Sequence, residues 1–307
     1  MLSQYSISIL VSSVLGLSLA IPSNICIVMG NLDIIRKKGK LSPTDVIFLD
    51  KGIVNILLQC VMSLQGMFIV LSPAVFYIRE VYTIMNTSTY FLIYCNFWLT
   101  FWLSAHYCTS ITNLRYGFFI WLKRIVSNFL SQLLFLTALG MFIVSVPNVW
   151  AVNEESPFQS SGNSTGVPGI RIYQILFYFV SANTLGCILP FCLSLLCLVL
   201  TSSFLLRHVW RVKNNDSGST RPNLQAHVTA LRTIFFLLLI FTFFCMSQVL
   251  MIIRKSTKFS KLLPAISWTL QLLSPSVEAA VIFQASNKLR RIILGRFWTR
   301  SRRNTET

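Results

Sequence analysis

Seven long apolar stretches, at about residues 6–31, 44–71, 87–112, 126–150, 172–206, 228–253 and 262–285, divide this chain. Each is long enough to cross a hydrocarbon core about 30 Å thick, which takes about 20 helical residues. Few folds are open to such a pattern. In lipid every backbone N–H and C=O must be satisfied within the segment, so stretches of this length become helices. The expectation is an all-α membrane protein, one domain over residues 1–307 built as a seven-helix bundle. Composition agrees: 54% of the residues are hydrophobic and only 11% charged, against about 25% charged in a soluble domain.

The charge is lopsided. Nineteen of the 26 Lys and Arg fall in alternate gaps and in the tail. Arg36, Lys37, Lys38 and Lys40 follow the first stretch; Arg115, Lys123 and Arg124 follow the third. Arg207, Arg211, Lys213, Arg221 and Arg232 flank the gap after the fifth, and seven more lie in the tail from Lys288 to Arg303. Short loops rich in Lys and Arg stay in the cytoplasm. That places the N-terminus outside and the C-terminus inside. A net charge of +17 raises nucleic acid as a partner. Its concentration on one side of the apolar stretches, with six Lys and Arg on the other side and Lys51 inside the second stretch, argues for a membrane surface instead. The first stretch is too long for a signal peptide's apolar region and reads as retained. Beyond Asn287, Leu289, Ile292, Ile293, Leu294, Phe297 and Trp298 alternate with the charges. That spacing suits an amphipathic helix on an anionic inner leaflet, or a solvated basic tail.

All eight cysteines lie within the apolar stretches, where Cys acts as a small apolar residue. The outer gap of about 151–171 has none, so it cannot form a disulfide to the third stretch. Its Asn163-Ser164-Thr165 is the favoured glycosylation site, ahead of Asn86-Thr87-Ser88 at the lip of the third stretch. No His, Cys, Asp or Glu spacing suits a metal, a cofactor or a catalytic dyad, so neither an intramembrane enzyme nor a cofactor is expected; a multispan enzyme or transporter is the minor competing reading. No inverted repeat supports a transporter.

Seven spans with the N-terminus outside is the arrangement of G-protein-coupled receptors. The usual Asp-Arg-Tyr and Asn-Pro-x-x-Tyr marks are absent; the third stretch ends Thr112-Asn113-Leu114. Other runs stand in order instead. They are Ser23-Asn24-Ile25-Cys26-Ile27 with Asn31, Lys40-Leu41-Ser42-Pro43-Thr44-Asp45-Val46-Ile47, and Trp98-Leu99 with Leu103-Ser104-Ala105-His106-Tyr107. Leu122-Lys123-Arg124-Ile125, Leu189-Pro190-Phe191 with His208, His227-Val228-Thr229-Ala230-Leu231-Arg232-Thr233, Ser274-Pro275-Ser276 and Lys288-Leu289-Arg290 follow. Together they resemble the type 2 (bitter) taste receptor family along almost the whole chain. The likeness is to a divergent member. Asn55 stands where the family has Arg, Glu278 where it has His, Ser286 where it has Asn, and Phe244 where it has an aromatic hydroxyl.

The resemblance implies a plasma-membrane receptor that binds a small bitter agonist and activates a heterotrimeric G protein, gustducin- or Gi-like. A vomeronasal type 1-like pheromone receptor is the alternative of the same fold. The outer half of the third stretch carries Thr89, Ile93 and Phe97 at four-residue spacing on one helical face. With Tyr94, and with Trp268 and Gln271 of the seventh stretch, these are the expected ligand contacts. Trp268 falls where some relatives carry a polar or acidic residue, which favours flat neutral compounds over cationic alkaloids. Pro190 is expected to kink the fifth stretch and Phe244 to act as a switch. Lys123, Arg124, His208, Arg211, His227 and Arg232 are the expected G-protein contacts. Ionisable residues inside a membrane usually carry a role. Lys51 therefore either pairs with Glu278 across the bundle, with Asn24 and Asn55 completing a polar cluster, or snorkels to the inner interface.

Overall fold

A computed structural model describes residues 4–111, 124–125, 128–146, 178, 180–214, 221–253, 262–286 and 288–292, all in helices or the turns joining them. Helix α1 spans Gln4–Lys38, α2 Pro43–Leu71, the single turn α3 Pro73–Phe76, and α4 Arg79–Ile111. Helix α5 spans Leu130–Ser145, and α6 spans Leu189–Asn214 after a π turn at Thr184–Ile188. Helix α7 spans Arg221–Ile253 and α8 Leu262–Ala285. Several helices outrun their apolar stretches. Basic extensions carry α1 through Lys38 and α7 back to Arg221, and α4 begins eight residues early, at Arg79.

Five of these helices are long and apolar enough to cross a membrane: Ser6–Lys38, Pro43–Leu71, Val180–Arg207, Val228–Gln248 and Ala265–Ala285. Helix α4 has the length but is diluted by polar residues that the bundle buries, among them Asn96, Thr100 and Ser104. Helix α5 is apolar but has 16 described residues.

The first hairpin shows how local chemistry sets the packing. Helix α1 ends at Gly39, whose φ of 69° is open to glycine and whose N–H donates to Ile35 O at 2.7 Å. Helix α2 opens with Ser42 as N-cap, accepting from the Asp45 N–H at 3.3 Å, and with Pro43 in its first turn. A four-residue connection leaves α1 antiparallel to α2, its most extensive neighbour. Helices α1, α2, α4, α6, α7 and α8 then form a ring in that order, with α5 outside against α4. Helix α4 touches α2, α5, α6 and α7 and is the pillar of the bundle.

The apolar core falls into two clusters. One, toward the start of α1, holds Ile9, Leu58, Met62, Ile93, Tyr94, Phe97, Phe241, Phe244, Trp268 and Leu272. The other, toward the end of α1, holds Ile27, Ile47, Phe48, Leu103, Leu237, Ile282 and Leu289. Large apolar side chains also point outward, such as Leu19, Phe135, Leu136, Val199 and Phe243. A soluble protein would pay heavily for that surface; in a bilayer it meets lipid tails.

Candidate functional site

Between the two apolar clusters lies a polar one. Lys51 Nζ is fully buried and sits 3.2 Å from Glu278 Oε2, itself 3% exposed. The ammonium has three protons to place. Besides Glu278, they reach Asn96, through its side-chain and backbone oxygens, and Thr100 Oγ1 at 2.9 Å. Glu278 also accepts from Asn55 Nδ2 at 3.1 Å and from Asn96 Nδ2 at 3.0 Å. Asn96 donates to Asn55 Oδ1 at 3.0 Å. Asn55 reaches Asn24 Oδ1 at 3.4 Å, and Asn24 donates to the Pro275 carbonyl at 3.2 Å. Four helices, α1, α2, α4 and α8, meet here. Of the two placements open to Lys51, the structure takes the buried pair. A charge sunk in a low-dielectric core is tolerable only when paired and fully hydrogen-bonded, as both are here.

Sequence reasoning found Lys51, Glu278, Asn55 and Asn24 but missed Asn96, which touches three of the cluster's other members. The available signal was an amide in the middle of an otherwise aromatic run, Tyr94-Cys95-Asn96-Phe97-Trp98.

Above the polar cluster, Phe97 is the next residue on α4. Its ring centroid lies 3.6 Å from Phe241 and 5.6 Å, edge-on, from Phe244. Phe241 also meets Phe191 of α6 edge-on at 5.0 Å. Phe241, which the sequence reading did not single out, is thus the hub joining α4, α6 and α7, and Phe244 lies beside it.

Of the six expected ligand contacts, Ile93, Tyr94, Phe97 and Trp268 share one buried cluster. Gln271 is 4% exposed, one turn along α8 from Trp268. Thr89 is half-buried; its hydroxyl donates to Met85 O at 2.8 Å and to Gln65 Oε1 at 3.2 Å. Three neighbouring polar atoms of α8 are buried without a hydrogen-bond partner: Ser267 Oγ, Trp268 Nε1 and Gln271 Nε2. Gly66 of α2 makes room for the indole, since a Cβ there would sit 3.1 Å from Trp268 Nε1. Tyr94 faces α6 instead. Its ring covers Gly186, where a Cβ would come within 2.3 Å of it.

Just before Pro190 the backbone takes a form the sequence did not disclose. In the π turn the Leu189 N–H bonds back five residues to Thr184 O. The next N–H in that register would serve Leu185 O, but residue 190 is proline and has none. Trp98 Nε1 of α4 takes that carbonyl at 3.2 Å.

At the far end, Ser42 donates to Asp45 Oδ2 at 2.6 Å and Lys288 donates to the same oxygen at 3.1 Å. Leu289 is fully buried beneath the bundle. Arg124 is exposed, and Arg232 is exposed over the Phe236 ring. Lys123, Asn163 and the side chains of His208, Arg211 and His227 lie outside the described residues, as does the tail beyond residue 292.

The comparisons with known proteins point one way. A family model described as "Taste receptor protein (TAS2R)" matches residues 1–301. The chain is similar to taste receptor type 2 member 9 of Papio hamadryas, 28% identical over 287 residues, covering 91% of this chain and 89% of the relative. The Homo sapiens protein of that name is 27% identical over 288 residues, with the same coverage. Taste receptor type 2 member 40 of Gallus gallus is 29% identical over 209 residues, 66% of each chain. With an all-helical, lipid-facing bundle and a family match over nearly its full length, the chain belongs to the taste receptor (TAS2R) family and is a membrane receptor.

Proposed function

We propose that this chain is a seven-span receptor of the plasma membrane, N-terminus outside and C-terminus inside, that takes small bitter compounds and activates a heterotrimeric G protein of the gustducin or Gi kind. The observation that carries the binding half is the trio on α8. Ser267, Trp268 and Gln271 each bury a polar atom with no partner, beside the apolar surface of Ile93 and Phe97. A buried polar atom left unmatched costs about 1–3 kcal/mol, so a ligand that satisfies it gains that much. A mostly apolar wall with a few aimed polar groups suits flat, neutral, small molecules.

Transmission follows from sequence adjacency. A ligand that displaces Phe97 displaces Asn96, and Asn96 holds both Lys51 and Glu278. The polar cluster ties α1, α2, α4 and α8, so its rearrangement is felt at the inner end of all four. The ligand favours whichever arrangement it binds better, and the G protein meets Arg124 and its basic neighbours in that arrangement.

Calcium imaging in cells carrying a promiscuous Gα chimera tests this, against a chemically varied panel of bitter compounds. A dose-dependent response is expected. Trp268→Ala should weaken potency about tenfold, as loss of about 1.4 kcal/mol of contact requires, and Thr89→Ala should weaken it less. A silent receptor at the cell surface would overturn the function. A response indifferent to both substitutions would overturn the site.

A further inference from the structure

We infer that the groove between α6 and α7 binds an anionic phospholipid, its phosphate on Arg232 and one acyl chain against Leu198, Val228, Leu231 and Phe235. The groove encloses about 390 Å³ and opens to the outside of the bundle. Helix α6 contributes Leu198 and Ser202; α7 contributes Val228, Leu231, Arg232, Phe235 and Phe236. Ser202 spends its proton on the Leu198 carbonyl at 2.7 Å, so its side offers no competing donor. The walls are otherwise apolar and face lipid, Val228 and Phe235 being about half exposed.

Arg232 makes this more than a greasy face. It stands one turn inside the apolar span Val228–Gln248, near that span's basic end. Its guanidinium is exposed and lies over the Phe236 ring, 5.8 Å from the centroid. Among the described residues no carboxylate pairs with it. The chain is short of them, with 9 Asp and Glu against 26 Lys and Arg. A fixed cation at the rim of an apolar channel calls for an anion carrying an apolar tail. A sterol lacks the charge, and a free anion leaves the channel unfilled. This assigns Arg232 to the lipid side of the bundle rather than to the G-protein mouth. The inference needs only a membrane-embedded chain, so failure of the ligand or coupling readings leaves it standing.

Native mass spectrometry of the detergent-purified receptor with equal phosphatidylserine and phosphatidylcholine of identical chains tests it. About fivefold preferential retention of phosphatidylserine is expected, matching about 1 kcal/mol per basic residue at an anionic surface. Arg232→Ala should abolish the preference. Leu198→Trp, which keeps the charge but fills the channel, should cut phosphatidylserine retention by a similar factor, and carries the test if the arginine variant does not fold. Equal retention of the two lipids by the wild type would overturn the proposal, as would a preference that survives both substitutions. So would displacement of the lipid by millimolar inorganic phosphate, which would reduce the site to a free-anion site. A dimer lost in Leu198→Trp, with no lipid preference, would give the groove to a second copy instead.

Discussion

Lys51 and Glu278 can each be understood only with the other. Each alone in the middle of the bundle would cost several kcal/mol of desolvation, and removing one partner of such a pair typically costs about 3–5 kcal/mol. Glu278→Gln should therefore sharply lower the melting temperature of the solubilised receptor and its surface expression, and Lys51→Met should do the same. Joining Lys51→Met to Glu278→Leu should recover much of the loss, because no orphan charge remains. Additive damage in the double variant would show that the two act separately. These two residues were legible from sequence because an ionisable side chain inside an apolar stretch stands out. Asn96 was not. An amide carries no charge to betray it, and its role exists only because α2 and α8 bring Lys51, Asn55 and Glu278 to it.

At the scale of elements, hydropathy located the long described helices but neither the single turn Pro73–Phe76 nor the caps at Gly39 and Ser42 that shape the first hairpin. The π turn before α6 was not legible. Pro190 announced a disturbance, but its form depends on the Tyr94 ring seated on Gly186 and on the Trp98 indole reaching Leu185 O. Such contacts between helices leave no periodic trace in either segment. The Trp98 bond gives a clean test. Trp98→Phe in the wild-type background should cost about 1 kcal/mol, the ordinary worth of a hydrogen bond. In a Pro190→Ala background the restored backbone N–H can serve the carbonyl, so the same substitution should cost markedly less. Thermal melting of the four proteins completes the cycle. Equal costs in both backgrounds would sink the account of the freed carbonyl.

For the whole molecule, the open matter is which way it sits. The excess of Lys and Arg in alternate gaps and in the tail implies an orientation, against the four basic residues of the gap after the sixth stretch, and glycosylation reads it out. Asn86 is poorly placed to carry a glycan. Its Nδ2 donates to Tyr82 O at 2.8 Å within α4 and its Oδ1 accepts from Gln65 at 3.3 Å. Receptor made in mammalian cells should therefore carry one N-glycan. Peptide N-glycosidase should shift its mobility by one step; Asn163→Gln should abolish the shift and Asn86→Gln should preserve it. A shift that survives Asn163→Gln would remove the ground for placing residues 151–171 outside.

The π turn also lets this segment carry one more residue than a regular helix of the same phase. Among the described residues of the fifth apolar stretch, the inward positions are Ala182, Gly186, Pro190, Ser194, Thr201 and Leu205. In an unbroken α-helix turning about 100° per residue, the first and last of these would point about 140° apart. The π turn absorbs one residue and brings them back to within about 40°. Its five positions thus work as a phase adjuster. Deleting any one of them would leave a regular α-helix that keeps Ser194, Thr201 and Leu205 on the same inward face, because the turn already absorbs that residue. What the deletion would remove is the opened Leu185 carbonyl that Trp98 Nε1 takes at 3.2 Å.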